Sequence, residues 1–95
     1  MPTVKVAHLR EQGQDMVIVP LGSDFGQKSQ DEQNAVISEL QSHSWGAGLR
    51  GTVVAVWNNH GRMAFIAPRP WHPFFQSLSL QRIFASLNKE ISWSD

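Results

Sequence analysis

The sequence predicts an α+β protein: a two-layer sandwich with a four-stranded antiparallel sheet and two helices on one face, made of two ββα units. Three observations carry this. Alternating apolar stretches come in pairs around a glycine-bearing turn, TVKVAHLR with MVIVP and GTVVAVW with MAFIA. Each pair is followed by apolar residues at helical spacing. The 95 residues also match themselves at an offset of 48, with ten identities in 47 ungapped pairs. One domain, 1–95, is therefore expected, made of repeats at about 1–47 and 49–95.

The identities fall on structural punctuation. Gly13 meets Gly61, Pro20 meets Pro68, Ser29 meets Ser77, and Ser44-Trp45 meets Ser92-Trp93. In the first unit Gly13 suits a left-handed turn position. Pro20 has no N–H for a ladder and is expected to end the return strand. Ser29 and Glu32 have capping-box spacing, and the helix should run to about His43, with Ala35, Val36, Ile37 and Leu40 giving it an apolar side. In the second unit NNHGR is the turn and Pro68 closes the return strand. Ser77 or Ser79 caps a helix bearing Leu80, Ile83, Phe84, Leu87 and Ile91.

Both faces of such a sheet would be apolar. Parity groups Leu9, Val53 and Trp57 on one face and Val4, Val6, Val54 and Val56 on the other. Helices on one side leave the second apolar face open, and an open apolar face marks an interface. A homo-oligomer, most simply a dimer, is expected, pairing through that face or through an edge strand. The alternative is that irregular segments fold over the face. So short a chain buries only about 60–65% of its unfolded surface, and association would enlarge its core.

Composition excludes several classes. There is no cysteine, so neither a disulfide framework nor a thiolate metal site is available, which fits a cytoplasmic location. No apolar run approaches a membrane span, and the N-terminus lacks the apolar centre of a signal peptide. Net charge is zero, which argues against bulk nucleic-acid binding. The charge is split: residues 1–47 hold three basic and six acidic side chains, residues 49–95 five basic and two acidic. Opposite ends of two copies would attract on that basis; chance sorting of surface charge is the simpler account.

The chemistry is sparse. His8, His43, His60 and His72 form no metal-ligand spacing, and no metal or cofactor is expected. LGSDFGQK, before the first helix, reads as an ordinary helix entry rather than an anion cradle. The densest stretch is PRPWHPFF, residues 68–75. Its Arg69, Trp71, His72, Phe74 and Phe75 form the candidate binding surface, with Asp24 and Phe25 of the corresponding first-unit loop if the two loops meet. His72 is the one candidate acid or base, and it would need a carboxylate from the other half or another subunit. An RNA-binding sheet surface using Trp57, Phe65, Arg50 and Arg62 is a further alternative.

Two hairpin–helix units resemble in topology the DCoH-like, or pterin carbinolamine dehydratase-like, folds. That family uses a His-His-Pro motif; this chain has Trp71-His72-Pro73 in a different context, so no residue is carried over. Fold analogy does not assign function. The leading expectation is a small soluble self-associating binding module, with a His72 enzyme as the alternative.

Overall fold

A computed structural model describes residues 3–11 and 13–92. The two hairpins form where the alternation places them. β1 (Thr3–Glu11) pairs antiparallel with β2 (Gln14–Leu21), and β3 (Thr52–Asn59) with β4 (Arg62–Ile66). The second turn is His60-Gly61, with φ of 55° and 86°. Two successive positive φ values make the tight turn whose twist matches a two-stranded ribbon. Asn58 Oδ1 accepts from the Gly61 N–H at 2.8 Å and braces it.

Pro20 does not end β2. It ends only the pairing with β1, whose last rung is Ala7 with Ile18, while β2 runs on against β3 to Leu21. A missing N–H stops one ladder and leaves the opposite edge intact.

A 3-10 turn at Ser23–Gln27 leads into α1 (Gln30–Gly46). The capping box is complete: Glu32 N–H donates to Ser29 Oγ and Ser29 N–H to Glu32 Oε1, each at 3.2 Å. The backbone N–H of Ser29, then its side chain, then the nearby Lys28 charge hold the Glu32 carboxyl below its ordinary value. After the second hairpin come a 3-10 turn (Arg69–Trp71), α2 (His72–Gln76), α3 (Leu80–Ala85) and β5 (Lys89–Ser92).

The sheet corrects the expected architecture. It has five strands in the order β4-β3-β2-β1-β5, and it is mixed: β2 and β3 run parallel, Met16 opposite Thr52 through Leu21 opposite Trp57. The helix after β2 carries the chain back to start β3 in the same direction, which a parallel pair requires. The fifth strand comes from residues expected to be helix. Spacing from Leu80 to Ile91 fits a helix, yet α3 stops at Ala85. Lys89–Ser92 instead pairs with Thr3–Val6 along the free side of β1, which buries Ile91 and fills those ladder positions.

Helices cover both faces, not one. Val6, Val17, Val19, Val53 and Ile91 pack under Val36, Ile37 and Leu40 of α1. Ala7, Met16, Ile18, Val54 and Val56 pack under Phe75 of α2 and Ile83 of α3. The expected grouping of side chains is likewise changed: Val4 and Val6 share the α1 face with Val53, while Leu9 lies on the other with Val54 and Val56. Joining the hairpins through a parallel pair turns the second one over relative to the first. The open apolar face from which dimerisation was expected is therefore not open.

The 48-residue duplication is not established either. Both units do run strand, turn, strand, 3-10 turn, helix. But Ser44 lies in a helix and its partner at that offset, Ser92, in a strand; Ser29 caps the start of α1 while Ser77 ends α2. Trp93, the partner of Trp45, lies outside the described residues.

Candidate functional site

PRPWHPFF is a short helical lid on the sheet, not an extended loop. Pro68 precedes the 3-10 turn and Pro73 occupies the first turn of α2, where its missing N–H costs nothing. A five-residue helix has no stability of its own and is held by what its side chains bury. Phe75 is buried against Ala7, Ile18, Val54 and Val56 among others, and Trp71 and Phe74 pack half-buried beside it. Its ring meets Phe74 at 5.2 Å and Phe65 of β4 at 5.5 Å.

His72 is built into this lid. Its Nε2 donates to the carbonyl of Ala67 at 3.0 Å, which places the proton on Nε2 because a carbonyl only accepts. Its ring stands edge-on to Phe65, with centroids 5.2 Å apart. Among the described residues no carboxylate is a hydrogen-bond partner of His72. Arg69 is exposed on the 3-10 turn.

The condition for joining the two loops is not met. Phe25 is buried on the α1 face, 5.0 Å from Trp57, with Asp24 exposed beside it. Trp71, His72, Phe74 and Phe75 belong to the opposite face. The candidate surface therefore divides into a lid of five residues and a separate α1-side turn. The aromatics of the RNA alternative divide in the same way: Trp57 is buried beneath Gly26, and Phe65 lies half-buried on the α2 face.

Beside the lid runs a groove of about 460 Å³. Trp71 and Phe74 form its aromatic wall with Pro70 and Pro73, Met16 lies beneath, and Glu11, Gln14 and Ser77 supply polar groups. A smaller hollow of about 310 Å³ continues past Phe74 and Glu11 towards Leu78, Arg82 and Ser86. Sequence reading missed Glu11, Gln14 and Met16. They flank the first hairpin's turn, and only the path of the second hairpin's connection over that face brings Trp71 to them. Pro70 and Pro73 belong to PRPWHPFF but were not among the candidate binding residues.

Among the described residues no cluster of three or more His, Asp or Glu side chains is placed to hold a metal, and no helix is long and apolar enough to cross a membrane. Comparison of the chain with protein-family models, with curated proteins and with solved structures gives no match.

Proposed function

We propose that the protein is a non-catalytic, self-associating binding module whose ligand lies in the groove between the Trp71–Phe74 lid and the first hairpin. The observation that carries this reading is the lining of that groove: two half-buried aromatic rings on a proline-stiffened helix, an apolar floor at Met16 and a carboxylate at Glu11. Concave apolar walls with a few polar groups are what small-molecule sites are made of. A carboxylate beside aromatic faces favours a cation, through charge and through the ring quadrupoles. The ligand class is therefore a small apolar or aromatic molecule bearing a positive charge.

The test is calorimetric titration with matched probes, phenethylammonium, its neutral alcohol and its carboxylate. The ammonium probe should bind best. Trp71→Ala and Phe74→Ala should each weaken it about tenfold or more, from the loss of aromatic contact worth about 1.4 kcal/mol. Glu11→Gln should remove the preference for the cation while leaving the alcohol unchanged. Equal binding of all three probes, or binding indifferent to Trp71, rules the reading out.

A further inference from the structure

With both sheet faces covered, the exposed backbone of the sheet lies at its two edges, β4 and β5. They differ in kind. The β5 edge carries Lys89 and Glu90, both exposed, the kind of charge that discourages strand addition. The β4 edge carries one charge, Arg62, at its start, followed by Met63, Ala64, Phe65 and Ile66, each only half-buried.

The turn geometry says which backbone groups of β4 are free. A two-residue turn is closed by a hydrogen-bonded pair, here Asn59 with Arg62, and such pairs then alternate. Arg62, Ala64 and Ile66 accordingly spend their N–H and C=O groups on β3. Met63 and Phe65 direct theirs outwards. The next carbonyl in that outward row, Ala67, is taken by His72. His72 thus closes the far end of an edge that stays open across Met63–Phe65.

We propose that β4 pairs with β4 of a second copy, antiparallel across a two-fold axis at Ala64. This rests on the self-association reading above and names its surface and register. The occupant follows from the edge itself. A row of outward N–H and C=O groups accepts a strand, and this strand is complementary to itself. With Ala64 opposite Ala64 of the second copy, the outward groups of Met63 face those of Phe65 and make four hydrogen bonds. The axis falls on a pair whose side chains lie closest, where alanine fits. Arg62 of each copy faces Ile66 of the other, so the two guanidiniums stand about 14 Å apart along the strands, beyond a Debye length at physiological salt. Met63 and Phe65 continue the α2-side apolar layer across the junction. There a groove of about 550 Å³ lined by Phe75, Leu78 and Leu80 adjoins them. The product is a continuous ten-stranded sheet.

The experiment combines sedimentation velocity from micromolar to millimolar chain with amide hydrogen exchange on the unaltered protein. A concentration-dependent dimer is expected, in which the Met63 and Phe65 amides become protected as it forms. Met63→Pro removes one outward N–H per copy and no bond to β3. It should weaken dimerisation about 30-fold while leaving the circular dichroism spectrum unchanged. A chain that stays monomeric to millimolar concentration overturns both self-association and this edge. A dimer in which those two amides exchange at the monomer rate overturns the edge alone. A monomer that gains protection there only on adding an unrelated strand-forming peptide overturns self-pairing.

Discussion

Gln41 and Asn88 each use a side-chain amide as one more rung of a β-ladder. Beyond the end of β4, the β3 edge at Gly51 and Val53 would be left bare. Gln41 of α1 fills the gap, donating to Gly51 O and accepting from Val53 N–H, both at 2.8 Å. The backbone carbonyl of Gln41 accepts from the buried Ser44 hydroxyl at 3.0 Å. Asn88 does the same for β1 just before β5 begins, accepting from His8 N–H at 2.8 Å and donating to His8 O at 3.0 Å. Burial separates the two. Gln41→Ala strands partly buried backbone groups and should cost about 2–4 kcal/mol, whereas the exposed groups left by Asn88→Ala can turn to water, at about 1 kcal/mol. Urea denaturation of the two variants checks that order. Gly51 between them has φ +119°, and a Cβ there would lie 2.5 Å from the Asp15 backbone. Gly51→Ala should therefore lower stability by about 3 kcal/mol or more, read from the same denaturation curves.

At the scale of elements, α1 alone among the described helices carries a complete capping box. Ser29→Ala should cost about 1 kcal/mol by loss of the cap. Glu32 adds a pH dependence. Its folded-state pKa is depressed, so its stabilisation is fully present above the unfolded value. That stabilisation is lost as pH falls through the folded one. Relative to Glu32→Gln, the wild type should lose its advantage on acidification below the ordinary carboxylate range, in thermal melts taken across that window. α2 and α3 depend instead on the sheet. Phe75→Ala opens the centre of the lid and should cost about 3–5 kcal/mol, releasing Trp71 to solvent as a red shift in fluorescence.

At the scale of the molecule, the mixed sheet makes the fold non-local. β1 is completed by β5 from the far end of the chain, and β2 meets β3 only after α1 has formed the crossover. Folding should accordingly be slower than for a local β-meander of this length, since those closures come before the contacts that reward them. Self-association across β4 would make the thermal midpoint rise with protein concentration, and Met63→Pro should flatten that rise.

The local elements were legible because their causes are local. Alternation placed the four hairpin strands, Gly13 and Gly61 their turns, and Ser29 with Glu32 the start of α1; of the two serines offered for the second cap, Ser77 and Ser79, it is Ser79 that starts α3. Residues 89–92 were not, because Ile91 satisfies helical spacing as well as strand parity, and the unpaired side of β1 decided between them. The candidate site was half legible. PRPWHPFF stood out by composition, but its neighbours Glu11 and Met16 are some sixty residues away in sequence. Parity along a strand says which residues share a face and never which layer covers it. Only the direction in which β2 and β3 are joined decides that, and it sets the two helical layers on opposite sides of the sheet.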